Sequence, residues 1–258
     1  MGDIPKNTFK SAILNGNVQL GIWTGIRDAM VMEMLGDTGF DFITIDTEHT
    51  ANEFPDVIAA LQAIKSTSAQ AAVRVPALDP VIIKRVLDAG AQTLFVPYVQ
   101  TVEEAELAAA SVAYPPKGIR GVAGGARAQA YGAIGDYFHK AREEICLIVQ
   151  VETQLGLDNL EAIAAVDGID AIFVGPADLS ASLGYPGQMS SEPMKAAIRD
   201  AIERITAAGK PAGFLARNKE LLELAKEAGA KLIVPEIDTS LLRQAAMEAV
   251  AAYGHLKD

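Results

Sequence analysis

LIVQVE (residues 147–152) and AIFVGPAD (171–178) decide the fold, each an apolar run followed by an acid, Glu152 in the first and Asp178 in the second. Near-continuous Ile/Val/Leu runs of this length suit parallel strands buried on both faces. Working outward, similar runs stand at 19–23, 40–46, 71–75, 93–99, 145–151, 171–175, 211–216 and 231–236. Between them lie stretches of helical period, such as PVIIKRVLDAG (80–90), VEEAELAAASV (102–112) and NKELLELAKEAG (218–229). Strict alternation of this kind predicts an α/β fold, a closed (β/α)8 TIM barrel forming a single domain over residues 1–258. No G-x-G-x-x-G follows a strand, which argues against a doubly wound dinucleotide fold. Gly36, Gly90, Gly209 and Gly229 read as the residues that close four helices. Residues 114–144 are too long for a simple repeat and read as a flap near the barrel mouth, with GVAGGA as a weak candidate anion cradle.

Composition narrows the classes of function. At 258 residues the chain can bury a large core, and no apolar stretch is long enough to span a bilayer. The N-terminal MGDIPKNTFK lacks an apolar leader, so the expectation is a cytoplasmic protein with no membrane partner. A formal charge of −11 disfavours nucleic acid, and an anionic substrate would need a local positive centre. Cys146 is the only cysteine, which removes intrachain disulfides and thiolate metal sites; within EICLIV it reads as a small buried hydrophobe.

Catalytic groups of such barrels gather where strands end. The second strand delivers Asp46, Thr47, Glu48 and His49 there, the third Arg74, the fifth Gln150 and Glu152, and the sixth Asp178. Asp178 could instead cap the helix that follows, and Glu152 could serve its own turn. Their parallel placement favours a shared hard cation such as Mg²⁺ or Mn²⁺. Arg74 could bind an anion or pair with Asp46 or Glu48. His49, three residues after Asp46, could be held in one tautomer by that carboxylate and move protons near neutral pH. No lysine ends a strand, so Schiff-base chemistry lacks its nucleophile and a metal becomes the electron sink.

IDTEH (45–49), VRVPALDP (73–80), VPYVQTVEEAE (96–106), YPPKGIRGV (114–122), VQVET (149–153) and VGPADLSASLG (174–184) resemble the HpcH/HpaI aldolases. That family comprises class II, metal-dependent pyruvate aldolases, and the resemblance runs in order from about Trp23 to Leu242. It implies that Glu152 and Asp178 ligate a divalent ion, Mg²⁺ or Mn²⁺ first, with Co²⁺, Ni²⁺ or Zn²⁺ as further options. It further implies that pyruvate chelates the ion, that Arg74 stabilises the enolate, and that His49, oriented by Asp46, transfers protons. Gln150 would hold a water or a group behind the metal. Asp88 matches an aspartate supplied by a neighbouring subunit. Trp23 and Leu215 match pocket-lining positions, and the backbone of Gly175, Pro176 and Ala177 would receive the pyruvate carboxylate. The family exchanges its last helix between subunits and builds homohexamers as trimers of dimers. Thr47, GGARAQAYG and VPEIDTSLL depart from the family pattern on the aldehyde side of the pocket.

The expected reaction is reversible aldol cleavage of a 4-hydroxy-2-oxo acid to pyruvate or hydroxypyruvate and an aldehyde, a carbon–carbon lyase activity on small molecules. A citrate-lyase-like acyl-CoA lyase and a non-catalytic barrel that binds a 2-oxo acid are the alternatives.

Overall fold

The computed structural model describes residues 2–257. Its strands are β1 (Gln19–Thr24), β2 (Phe42–Asp46), β3 (Gln70–Arg74), β4 (Thr93–Val96), β5 (Cys146–Val151), β6 (Ala171–Val174), β7 (Ala212–Leu215) and β8 (Leu232–Ile237). They pair in parallel in sequence order, and β8 returns to β1 to close the barrel. The helices are α1 (Thr8–Leu14), α2 (Ala29–Gly36), α3 (Phe54–Ile64), α4 (Pro80–Asp88), α5 (Val102–Val112) and α6 (Tyr137–Lys140). They continue with α7 (Gln154–Asp158), α8 (Leu160–Ala164), α9 (Pro176–Ser182), α10 (Glu192–Ala207), α11 (Lys219–Glu227) and α12 (Asp238–Tyr253). The expected (β/α)8 barrel is therefore the observed fold.

Alternation along each strand separates two cores. Phe42, Ala72, Phe95, Ile148, Phe173 and Val234 fill the barrel interior, and Phe9 and Ile13 of α1 belong to the same cluster. Phe9 lies 4.8 Å from the Phe42 ring, so α1 plugs the end opposite the strand C-termini. Residues of the other parity, Ile43, Val73, Leu94, Val149 and Ile172 among them, pack under the surrounding helices. Side chains at the βα junctions start the helices. Asp79 Oδ1 accepts from Val81 N at 2.6 Å ahead of Pro80, and Thr101 and Glu104 form a reciprocal capping box.

Three expectations change. Gly90, Gly209 and Gly229 have the positive φ of a helix-closing glycine, but Gly36 does not. Gly36 is buried in the last turn of α2, where an added Cβ would lie 2.3 Å from Thr67 Oγ1, so close packing selects it. Residues 114–144 join the end of α5 to the start of β5, which places them at the strand N-termini, away from the acids. There Arg127 Nη1 donates to Ala89 O at 2.6 Å and Gly2 N to Ala133 O at 3.3 Å, so the segment is packed against the base of the barrel. The GVAGGA turn keeps its polar groups for itself: Gly125 N donates to Gln129 Oε1, and Gln129 Nε2 to Ala123 O. Finally, the strand expected over 93–99 stops at Val96, because Tyr98 adopts φ 59° and breaks the extended backbone.

The last helix stands apart from its own barrel. Beyond buried Asp238, most of α12 is exposed, including Leu242, Met247, Val250 and Tyr253 at 55–66%. Among the described residues, no helix is long and apolar enough to cross a membrane.

Candidate active site

Register brings the acids and the arginine to one end. Asp46 and Arg74 are direct neighbours at the ends of β2 and β3. Gln150 and Phe173 are neighbours on β5 and β6, so Glu152 and Asp178 emerge just beyond them. Inward parity at the strand ends explains why these residues meet.

Arg74 is nearly immobilised. Its Nε donates to Asp46 Oδ1 and its Nη2 to Asp46 Oδ2, both at 2.7 Å. Nη1 lies 2.8 Å from Glu48 Oε2, and the guanidinium sits 5.0 Å over the Trp23 ring. Trp23 in turn rests on Phe95 and Phe173 at 5.1 and 5.6 Å. Of the five guanidinium donors, Asp46 takes two and Glu48 faces a third, so two remain for another group. A forked ion pair of this kind is rigid and charge-assisted.

Glu152 is the second anchor. It is 2% exposed; Oε1 accepts from Tyr98 N at 2.8 Å and Oε2 from Gln150 Nε2 at 3.1 Å. Burial pushes its pKa up to about 7 against the pull of the Tyr98 N–H, and the charges of Asp178 and Glu48 push the same way. The left-handed backbone of Tyr98 thus aims an N–H at this carboxylate. Gly175 is glycine for space: an added Cβ would lie 2.1 Å from Glu152 Oε2.

Asp178 lies in the first turn of α9, but no side chain caps that helix and its N-cap position is Gly175. The Asp178 carboxylate forms no hydrogen bond or ion pair among the described residues, so the capping alternative finds no support. Gln150 Oε1 is buried with no hydrogen-bond partner, as is Thr44 Oγ1 one layer below. Two carboxylates and an amide oxygen are hard donors. They fit an ion such as Mg²⁺ or Mn²⁺, which commonly takes one or two protein carboxylates and completes its octahedron with water and substrate. Among the described residues no three His, Cys, Asp or Glu side chains cluster as a ready-made metal cage.

Other expected residues fall into place unevenly. Leu215 and the Gly175–Pro176–Ala177 turn border the same mouth, from β7 and α9. His49 is there but exposed, and its nearest carboxylate is Glu48, with Nε2 3.8 Å from Oε2. Within the chain Asp46 is not paired with His49; its oxygens accept from Arg74 and from Glu48 N. Asp88 does not join the cluster within the chain. It ends α4, about 13 Å along the helix axis from the mouth, and pairs with Arg120. Thr47 turns its hydroxyl to Arg74 O at 2.6 Å and so braces the β2–β3 junction.

Of two further residues, one was expected only as an alternative partner of Arg74 and the other had no assigned role. Glu48 is the second clamp on Arg74, and burial raises its pKa against the pull of that arginine. The alternation Asp46–Glu48 in IDTEH was the available signal. Asp238 is 3% exposed and accepts from Gly25 N and Ile26 N at 2.9 Å, tying the loop after Trp23 to the start of α12. No local pattern announces that contact across more than two hundred residues.

Comparison with known proteins follows the same lines. The sequence model of the HpcH/HpaI aldolase/citrate lyase family matches residues 19–245. A hydroxypyruvate/pyruvate aldolase of Sagittula stellata is 49% identical over 245 residues, covering 95% of this chain and 97% of the relative. A 4-hydroxy-2-oxo-heptane-1,7-dioate aldolase of Klebsiella pneumoniae is 44% identical over 250 residues, covering 96% and 94%. Among solved structures, an HpcH/HpaI aldolase/citrate lyase family protein from Burkholderia cenocepacia superposes with a TM-score of 0.92 at 36% identity, covering 96% of this chain and 99% of that one.

Proposed function

Because the chain belongs to the HpcH/HpaI aldolase/citrate lyase family, we propose that it is a metal-dependent aldolase, a carbon–carbon lyase. It cleaves 4-hydroxy-2-oxo acids reversibly to pyruvate, or hydroxypyruvate, and an aldehyde. The observation that carries this reading is the meeting, at one end of the barrel, of a clamped Arg74 with the buried Glu152 and the unpaired Asp178.

Glu152 and Asp178 would hold the divalent ion, with the Gln150 oxygen behind them. Hard oxygen donors favour Mg²⁺ or Mn²⁺ over Co²⁺, Ni²⁺ or Zn²⁺. When bound, the ion supplies Lewis acidity to the 2-oxo acid and the positive charge that an acidic protein otherwise lacks. Arg74 directs its two uncommitted N–H groups at the ketone oxygen, where negative charge develops in the enolate. Because Asp46, Glu48 and Trp23 already hold it, little reorganisation is needed during reaction. The backbone at Gly175, Pro176 and Ala177 receives the substrate carboxylate. Trp23 and Leu215 form apolar walls that exclude water from the enolate carbon. His49, exposed at the rim, carries the proton between the substrate and solvent.

The exposed apolar face of α12 supports an exchanged helix and a homo-oligomer, a hexamer built as a trimer of dimers. In that assembly Asp88 serves a neighbour's pocket, which agrees with its distance from its own. Each chain acts as one domain over residues 1–258, in the cytoplasm.

The test is proton exchange at the pyruvate methyl group in D2O, followed by NMR, with Mg²⁺ or Mn²⁺ and after chelation. Cleavage of 4-hydroxy-2-oxo acids is measured in parallel. Metal-dependent exchange and cleavage are expected; full activity after thorough metal removal refutes the mechanism.

A further inference from the structure

The YPPKGIRGV segment (114–122) contributes nothing to the mouth of its own barrel, yet it carries an unusual cation. The Arg120 side chain is 0% exposed. Its guanidinium lies 4.5 Å over the Tyr114 ring and 5.9 Å from the centre of Tyr137. It forms a single ion pair, Nη2 to Asp88 Oδ1 at 2.8 Å, while Nε and Nη1 are buried without partners. Burial of a guanidinium with unmade hydrogen bonds is costly, so stability alone does not account for this choice.

The backbone is built to deliver it. Ile119 N donates to Ala110 O at 2.8 Å and Arg120 N to Ala113 O at 2.9 Å, which seals the end of α5. Gly118 permits this approach, since a Cβ there would lie 2.3 Å from Ala110 O. Asp88 is equally ill-placed by local rules. It ends α4, at the negative end of the helix dipole, where a cation is preferred. Its side chain is 22% exposed, with one oxygen on Arg120 and the other unbonded among the described residues. Two locally unfavourable choices that satisfy one another mark a functional site more often than a stabilising one.

We propose that Arg120 is a positioning residue that holds Asp88 as an outward-facing carboxylate for the pocket of a second copy of this chain. This rests on the reading above in which a neighbouring subunit supplies Asp88. The tyrosine stack fixes the guanidinium, and the guanidinium fixes one carboxylate oxygen, leaving the other to reach the neighbour.

The experiment is a double-mutant cycle on pyruvate proton exchange in the assembled, metal-loaded enzyme. Asp88→Asn and Arg120→Met are each expected to lower kcat at least about tenfold, with KM for pyruvate within about twofold. The double variant should be no worse than the weaker single one. Arg120→Met is expected to keep its melting temperature, because Met fills the stack between the tyrosines and removes two unpaired donors. Arg120→Lys should recover at least a third of the activity, since one charged bond, not a fork, is what Asp88 requires. If Arg120→Met fails to fold, Arg120→Lys decides: recovery supports the assignment, and a folded Lys variant as slow as Asp88→Asn overturns it. Mixing His49→Ala with Asp88→Asn subunits should restore exchange in mixed oligomers, and no restoration refutes service to a second copy. The failures are distinguishable. No exchange in the wild type removes the reaction, and exchange that survives Asp88→Asn removes Asp88. Exchange lost with Asp88→Asn but kept in Arg120→Met, or losses that multiply in the double variant, remove Arg120 alone.

Discussion

Gly175→Ala is the most demanding perturbation of the site, because it adds one methyl group against the carboxylate proposed to hold the metal. The new Cβ would stand 2.1 Å from Glu152 Oε2, 3.0 Å from Glu152 Cβ and 3.1 Å from Glu152 Cδ. An ordinary carbon–oxygen contact is about 3.3 Å or more, so the carboxylate must retreat by roughly 1 Å. Retreat means leaving Tyr98 N, Gln150 Nε2 or both, each a bond to a group with a charge, of order 1.5–3 kcal/mol. The fold should survive, since φ at Gly175 is −86°, a value alanine adopts freely. Misplacement of about 1 Å in such a site costs on the order of 100-fold in rate. The assay is pyruvate methyl exchange by NMR beside Mn²⁺ affinity by EPR, with circular dichroism as the folding control. A folded Gly175→Ala enzyme that keeps its Mn²⁺ affinity and exchanges within threefold of wild type would show that Glu152 Oε2 is not a ligand.

Other expectations test separate parts of the site. In metal-free protein, Glu152 holds its proton to about pH 7 when folded but only to its ordinary 4.5 when unfolded. The folded state therefore binds more protons between those values, and stability falls as pH rises from about 4.5 to 7, by about 3 kcal/mol. Chemical denaturation across that range should show the slope, Glu152→Gln should flatten it, and a divalent ion should offset it near pH 7; a pH-independent wild type refutes the burial argument. Arg74→Lys keeps the charge but loses the fork on Asp46, so exchange should drop about 100-fold with Mn²⁺ still bound; unchanged exchange removes Arg74 from enolate stabilisation. Glu48→Ala frees one edge of Arg74 and should cost about tenfold or more in the wild type but little in the Arg74→Lys background; equal losses in both would separate Glu48 from Arg74. Val250→Asp with Tyr253→Asp places charge on the exposed face of α12 and should dissociate the proposed oligomer in light scattering; an intact assembly argues against a contact there.

Much of the site was legible because barrels place strand ends together. An apolar run ending in an acid locates Glu152, and the same pattern at 171–178 locates Asp178 and the glycine beside it. The His49 assignment was half legible: IDTEH puts it at the mouth, but spacing alone paired it with Asp46. Arg74, arriving from the adjacent strand, takes both Asp46 oxygens, and spacing along the chain does not rank those partners. The flap failed for a different reason, since the order helix, segment, strand already implied the strand N-termini. Length marks residues 114–144 as unusual, whereas the end of the barrel they cover follows from whether a helix or a strand precedes them.

By itself, the chain determined the barrel and the chemistry available to it. Near-continuous apolar runs and helical hydrophobicity dictate alternating strands and helices, and the lack of a strand-end lysine leaves Schiff-base chemistry without its nucleophile. These are properties of local order along the backbone. Only the tertiary structure decided which carboxylate holds Arg74, how far burial raises Glu152, why Gly175 has no side chain, and which buried cation restrains Asp88. Each depends on distances and desolvation between residues far apart in sequence, where a shift of 1 Å changes which interaction forms.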